Sequence, residues 1–258
     1  MAEHWIDRPD CRLYVFERGS GPAVIALHGA LADHSAALPL TSGLPNSYRI
    51  VAPDVRGGGR SHYASDLTFE QFTGDLRATI DELGIAEAFL VGVSTGSGIA
   101  VHFALSCPAM LAGLVLVKPV YAGEDRGYTE SQAAALGGMD AVASRAATEG
   151  VAALEPLYAG LPPEIRDKAM AMARRFDGPS VAATSKFVAS GVQPFRSASE
   201  ELASLAVPTL IVRGNDDVHP AQVSDLYLDS VPTAVVAEVE DDEIPGVIAA
   251  FVDRTRRT

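Results

Sequence analysis

A serine between two glycines gives one stretch of this sequence a clear chemical potential. Residues 89–100 read Phe-Leu-Val-Gly-Val-Ser-Thr-Gly-Ser-Gly-Ile-Ala, an apolar run followed by a helical pattern. In this G-x-S-x-G arrangement, Gly92 and Gly96 leave room for a sharp turn between strand and helix that exposes Ser94. We therefore predict that Ser94 is a nucleophile; a serine that only caps the helix is the alternative.

An earlier loop is predicted to supply hydrogen-bond donors to the same site. The short apolar strand at residues 23–27 ends in His28-Gly29-Ala30-Leu31. The backbone N–H of Ala30 or Leu31, together with that of Thr95 after the nucleophile, would form an oxyanion hole. We expect His28 to shape this loop and His62 to reach the rim of the site, both as substrate-binding residues.

The elements around these loops alternate between strands and helices. This alternation predicts an α/β fold in which a mostly parallel sheet is covered by helices on both faces. Residues 121–205 are alanine-rich and helical in pattern, with no strand-like run, and predict a helical cap or lid inserted into a core formed by residues 1–120 and 206–258. The predicted strands span residues 12–18, 23–27, 48–52, 89–93, 114–117, 207–213 and 234–239, and the main core helices span residues 68–83, about 221–228 and a closing stretch that ends near 254.

The bulk composition narrows the class of protein. The chain has 258 residues and a formal net charge of −13, which argues against nucleic acid and anionic membranes as partners. The charged first ten residues and the lack of a long apolar window favour the cytoplasm. Cys11 and Cys107 are far apart in sequence and are expected to be packing residues. We expect a small-molecule substrate, no cofactor and no metal.

Four motifs in order resemble the α/β-hydrolase superfamily. They are the His28-Gly29 loop, the Asp54-x-Arg56-Gly57-x-Gly59-x-Ser61 turn, the turn at Ser94 and the Gly214-x-x-Asp217 loop. The cap and its flanks look most similar to enol-lactonases and related small-substrate hydrolases. The resemblance implies that a serine attacks a carbonyl, a histidine moves the proton and an acid orients the histidine. It places the acid at Asp217, with Asp216 as the alternative.

The sequence departs from this family at the histidine. The family carries it in the loop after the last strand, but here residues 237–245 read Ala-Glu-Val-Glu-Asp-Asp-Glu-Ile-Pro. His219 and Lys118 are the two candidate substitutes, because both are expected at the carboxyl edge of the sheet. The alternatives are a surface histidine before a proline and a lysine that reaches solvent.

Three functions follow from this departure. The first is cleavage of a small ester or lactone through Ser94 with an atypical or displaced base. The second is a lyase, cyclase or isomerase of natural-product metabolism in which the oxyanion hole stabilises an enolate. The third is a catalytically silent binding protein. The strained glycine turn favours an enzyme, because a binding protein gains nothing from that strain.

Overall fold

An eight-stranded sheet forms the centre of the computed structural model, which describes residues 1–257. The strand order is β1-β2-β4-β3-β5-β6-β7-β8. The pairs β1–β2 and β2–β4 are antiparallel, and all other neighbours are parallel. The strands are β1 (Ala2–Asp7), β2 (Arg12–Arg18), β3 (Ala23–Leu27), β4 (Arg49–Pro53), β5 (Ala88–Val93), β6 (Leu111–Val117), β7 (Thr209–Val212) and β8 (Ala234–Ala237).

Helices cover both faces of this sheet because its central strands are apolar throughout. All five residues of β3 are buried, and successive side chains enter opposite layers: Ile25 packs in one apolar cluster and Val24 in the other. The α-helices are α1 (His34–Ala37), α2 (Phe69–Glu82), α3 (Thr95–Ser106), α4 (Glu130–Leu136), α5 (Met139–Glu149), α6 (Glu155–Tyr158), α7 (Pro163–Ala173), α8 (Gly178–Ser190), α9 (Ala221–Ser230) and α10 (Ile244–Thr255). None of the described helices is long and apolar enough to cross a membrane.

The observed sheet confirms the predicted fold class. The predicted strands, however, begin at residue 12 and leave out Ala2–Asp7, which pairs with β2 at the sheet edge. The reason is physical, since an edge strand is mostly exposed and carries charged residues instead of an apolar run. Other predicted boundaries differ from the observed ones by a few residues.

The strand register brings several strand ends to one place. Leu27 of β3 pairs with Gly92 of β5, and Val93 of β5 pairs with Val117 of β6. Val117 in turn pairs with Val212 of β7. The loops after β3, β5, β6 and β7 therefore emerge side by side at the carboxyl edge, where ligands bind in parallel sheets.

The segment between β6 and β7 holds helices α4 to α8 and packs partly on itself. Its small apolar cluster is built on α5, α8 and the turns between them, and includes Val142, Ala146, Leu154, Phe176 and Val181. Leu31, from the loop after β3, joins this cluster. The helical segment, as we call residues 121–205, thus contacts the loop that was expected to hold the oxyanion donors; its role as a cap stays a prediction.

Candidate active site

Ser94 lies at a strained turn between β5 and α3. Its backbone has φ 54° and ψ −120°, a conformation that costs a non-glycine residue of the order of 1–3 kcal/mol. A Cβ at Gly92 would lie 2.2 Å from the Gly96 carbonyl oxygen, and one at Gly96 would lie 2.6 Å from the Leu27 carbonyl oxygen. The turn therefore requires both glycines. The Ser94 side chain makes no capping hydrogen bond to α3, which argues against the helix-cap interpretation.

The hydroxyl of Ser94 is hydrogen-bonded to a histidine. The Nε2 atom of His219 lies 2.9 Å from the Ser94 Oγ. The other ring nitrogen, Nδ1, lies 2.9 and 3.0 Å from the two carboxylate oxygens of Asp216. Three side chains suited to act as nucleophile, base and orienting acid are thus joined in one chain of hydrogen bonds.

Asp216 and His219 are three residues apart on the loop that follows β7. One Asp216 oxygen also accepts the backbone N–H groups of Val218 and His219, each at 2.9 Å, which folds the loop into a tight turn. Partial burial raises the pKa of Asp216, but the hydrogen bonds from the His219 ring and backbone outweigh it and leave this pKa below the ordinary value. The carboxylate is therefore held in its charged form although its side chain is 49% exposed.

The neighbouring Asp217 does not make this contact. It is exposed and forms no hydrogen bond or ion pair with the rest of residues 1–257. The match to Gly-x-x-Asp placed the acid at Asp217, but the structure puts the alternative, Asp216, against His219. The turn decides between them: its hydrogen bonds to the N–H groups two and three residues on orient the first aspartate inwards.

Gly214 lets the loop after β7 fold back and was not identified from the sequence as part of the site. A Cβ at this position would lie 2.3 Å from the backbone oxygen of His219 and 2.7 Å from its Cβ. Any side chain here would displace the residue that bonds Ser94. The sequence signal is its place at the start of the Gly214-x-x-Asp217 motif, directly after Arg213 at the end of an apolar strand.

The loop after β3 passes close to the nucleophile. A Cβ at Gly29 would lie 3.2 Å from the Ser94 Cβ and 3.7 Å from its Oγ. Within residues 1–257, the backbone N–H groups of Ala30, Leu31 and Thr95 have no acceptor. Unpaired donors beside a nucleophilic hydroxyl are suited to bind an oxyanion.

His28 supports this loop from its buried side and is not accessible to a substrate. It is 1% exposed. Its Nε2 accepts the Val55 N–H at 3.0 Å, so its Nδ1 carries the proton and donates to the Gly29 carbonyl at 2.7 Å. Burial lowers the pKa of the His28 imidazole and favours its neutral form. These contacts agree with the expected role of His28 in shaping the loop, whereas the expected role as a substrate-binding residue is corrected, because the ring is buried.

The turn at Asp54 supports the same loop. Its buried carboxylate accepts the backbone N–H of His34 at 2.7 Å and that of Arg60 at 2.8 Å. Burial raises the pKa of Asp54, but the bond to the His34 ring and these N–H donors leave it below the ordinary value. The motif that runs from Asp54 to Ser61 therefore acts as a scaffold for the site.

Lys118 and His62 have partners other than Ser94. The Lys118 ammonium lies 2.7 Å from Asp241 on the loop after β8. The His62 ring lies 3.3 Å from the Asp177 carboxylate and 3.4 Å from the Arg175 carbonyl, both in the helical segment. Of the two expected substitutes for the base, the structure brings His219 and not Lys118 to the nucleophile.

Backbone strain marks the edge of the sheet where these loops meet. Among residues 1–257, only three non-glycine residues have positive φ: Leu31 at 53°, Ser94 at 54° and Lys118 at 47°. They follow β3, β5 and β6, which are neighbours in the sheet. Such strain concentrates at functional sites. The described residues contain no group of three or more His, Cys, Asp or Glu side chains arranged to hold a metal ion.

Each of two curated relatives matches less than half of the chain. It is 33% identical over 120 residues to the dihydrolipoyllysine-residue acetyltransferase component of the acetoin cleaving system of Cupriavidus necator, covering 45% of this chain and 32% of that protein. It is 36% identical over 104 residues to lipase LipV of Mycobacterium tuberculosis, covering 40% of each. The chain thus spans between a third and two fifths of the length of these relatives.

Solved structures resemble the whole chain at low identity. A thermophilic esterase from Thermogutta terrifontis superimposes with a TM-score of 0.78 at 22% identity, covering 100% of this chain and 98% of that one. This likeness supports the fold alone. The family model described as Serine aminopeptidase, S33, matches residues 21–237, which include every loop of the candidate site. The chain therefore belongs to this serine aminopeptidase S33 family of α/β-hydrolase-fold proteins.

Proposed function

We propose that this protein is a serine hydrolase that cleaves a small ester or lactone. The observation that carries the proposal is the 2.9 Å contact between His219 Nε2 and Ser94 Oγ. A serine hydroxyl is a weak nucleophile at neutral pH and needs a base within hydrogen-bond reach. The 2.9 Å contact lies within that reach and gives Ser94 an imidazole base despite the lack of histidine after β8.

In the proposed reaction, Ser94 Oγ attacks the substrate carbonyl carbon while its proton passes to His219 Nε2. The carbonyl oxygen becomes an anion that accepts the N–H of Thr95 and of Leu31 or Ala30. The carbon–oxygen bond to the leaving alcohol then breaks, and the His219 proton moves to that oxygen. Water, deprotonated by His219, then attacks the acyl carbon. The bond from this carbon to Ser94 Oγ breaks, the acid product leaves, and the His219 proton returns to Oγ.

Asp216 has the orienting role in this scheme. It accepts the proton-bearing Nδ1 of His219, which leaves Nε2 free to receive the Ser94 proton and stabilises the imidazolium that forms. Because the Asp216 side chain is half-exposed, water screens it, and its contribution is smaller than that of a buried acid.

The helical segment is proposed to cover the site and bind the substrate. Leu31, which carries one of the proposed oxyanion donors, packs into the apolar cluster of this segment. Nearby, the buried carboxylate of Asp33 forms an ion pair with Arg175, which follows α7. These two contacts tie the segment to the loop that would hold the oxyanion.

A non-hydrolytic reaction on the same fold is a weaker candidate. The lack of a histidine in the loop after β8 favours such a reaction, and the contact between His219 and Ser94 removes that argument. A silent binding protein is weaker still, since it has no use for unpaired donors facing a strained serine. We therefore favour hydrolysis.

A fluorophosphonate probe with a reporter group tests the proposal. The wild-type protein should be labelled at Ser94 and should release p-nitrophenol from p-nitrophenyl acetate. Ser94→Ala should abolish labelling and lower kcat by at least about 10⁴-fold, because removing the nucleophile leaves only binding and oxyanion stabilisation. Ser97→Ala, the matched control, keeps the nucleophile and should still be labelled. A folded wild-type protein that reacts with neither reagent would overturn the proposal.

A further inference from the structure

We propose that Gln132 is a positioning residue that fixes the loop carrying His219. The inference rests on the proposed function, since it assigns a task in the same proton transfer. Gln132 lies on α4, in the helical segment, and is 0% exposed. It touches no atom of Ser94 or of the His219 ring, so it would act through the loop backbone.

The Gln132 amide is fully engaged at both ends. Its Nε2 donates to the Val218 carbonyl at 2.9 Å and to the Val120 carbonyl at 2.7 Å. Its Oε1 accepts the Thr129 backbone N–H at 3.0 Å and the Thr129 hydroxyl at 3.2 Å. Every donor and acceptor of the side chain is used, which leaves it one orientation.

One of these bonds fixes the peptide group between Val218 and His219. The carbonyl of Val218 and the N–H of His219 belong to one planar peptide unit. Gln132 binds the carbonyl of this unit at 2.9 Å, and Asp216 binds the N–H at 2.9 Å. A change in the backbone angles at Val218 would move the His219 Cα relative to Ser94, so hydrogen bonds on both sides of the unit hold the imidazole in place.

The second bond joins this loop to the edge of the sheet. Val120 follows β6, whose end pairs with the ends of β5 and β7. Gln132 therefore ties the loop after β7 to the loop after β6 from above. The loop needs this support because His219 and Asp216 lie on the same turn. Without Gln132, that turn alone would fix the position of the proposed base.

The capping box that Gln132 forms with Thr129 explains the Oε1 end of this side chain, but neither it nor the packing of α4 explains the two bonds of Nε2. A buried amide costs about 1–3 kcal/mol unless its hydrogen bonds are made, and an apolar residue would anchor a helix without that cost. Gln193 provides a matched comparison within the helical segment. It is also buried, and it binds the N–H groups of Ala122 and Gly123 at 3.1 Å each and the Gly191 carbonyl at 2.8 Å. It has no bond to the loop of His219.

The test compares Gln132→Met with Gln193→Met in the full chain. Methionine keeps the length and buries well but removes every amide hydrogen bond. We expect kcat for p-nitrophenyl acetate and the fluorophosphonate labelling rate at Ser94 to fall about 10- to 100-fold in Gln132→Met, since a shift of about 1 Å costs up to 10². KM should stay within about threefold. Gln193→Met should keep kcat within about twofold at a similar loss of thermal stability.

A folded Gln132→Met protein with the kcat and labelling rate of Gln193→Met would overturn the inference. If Gln132→Met does not fold, Gln132→Glu keeps the shape and the acceptor for Thr129, loses the amide donors, and should show the same loss of kcat. Normal kcat in that variant would equally refute it. Failure of the proposed function is distinct, because wild-type Ser94 would then not be labelled at all.

Discussion

The loops after β7 and β8 both leave the sheet at its carboxyl edge, but they differ in their contacts. The loop after β7 turns inwards: Asp216 bonds His219, and His219 bonds Ser94. The loop after β8, Glu238 to Glu243, is mostly exposed and acidic, and its contacts are ion pairs such as Asp241 with Lys118. The family resemblance places a catalytic histidine on the second loop, whereas the structure brings one from the first.

In the proposed reaction, proton transfer needs an imidazole at a given point in space and not on a given strand. Neighbouring parallel strands end side by side, so a loop one strand closer to the nucleophile reaches the same hydroxyl. A move to the first loop places acid and base on one turn. The stiffness of that turn then matters more than in a site whose acid and base come from separate loops.

Among variants that keep both Ser94 and His219, the largest effect that sharpens this comparison concerns the two adjacent aspartates. In Asp216→Asn the amide can donate to Nδ1 and stabilise the wrong tautomer of His219. We expect kcat for p-nitrophenyl acetate to fall about 10²-fold, less than for a buried acid because Asp216 is half-exposed. Asp217→Asn, the matched control, should change kcat by less than about twofold. Equal losses in the two variants would contradict the assignment of Asp216.

A smaller effect is expected from a methyl group on the loop after β7. Gly214→Ala places a Cβ 2.3 Å from the His219 backbone oxygen, so the loop must shift. Stability to urea should drop by about 1–3 kcal/mol, the usual cost of overpacking, and kcat should fall about tenfold. Gly246→Ala is the control from the β8 side of the sheet. Gly246 lies in the first turn of α10, after the loop that follows β8, and a Cβ there meets nothing within 4 Å. It should leave kcat unchanged.

The smallest effect is a pH dependence of stability. The pKa of Asp216 is lowered in the folded protein, so its contribution to stability is full above the unfolded pKa of about 3.9 and is lost as the pH falls through the folded value. Wild type should exceed Asp216→Asn by less than about 1 kcal/mol at pH 7, since solvent screens the site. Urea unfolding at several pH values should show this difference shrinking in acid. A difference in the free energy of unfolding that grows in acid would contradict the predicted sign.

Local geometry decided how much of the site was predictable from the sequence. The turn at Ser94 was readable because its strained backbone demands glycines at fixed spacing, and the position of the loop after β3 because a His-Gly pair directly follows a buried strand. The acid was not, since two adjacent aspartates differ only in which one closes the turn onto Val218 and His219.

Contacts between distant segments were also beyond the sequence. Gln132 lies 86 residues before Val218, and no spacing rule joins them. The α/β fold class and seven of the eight strands were predicted because the central strands are apolar throughout, while the exposed edge strand Ala2–Asp7 lacked that signal. Patterns within one element are thus legible, and pairings between elements require the structure.

The rate of fluorophosphonate labelling at Ser94 in His219→Ala tests most directly whether the base comes from the loop after β7. This rate is compared with that of Lys118→Met, which removes the partner of Asp241 on the loop after β8. The account predicts a loss of about 10³-fold or more in His219→Ala and less than about threefold in Lys118→Met. Labelling of a folded His219→Ala protein at the wild-type rate, or a large loss in Lys118→Met alone, would contradict it.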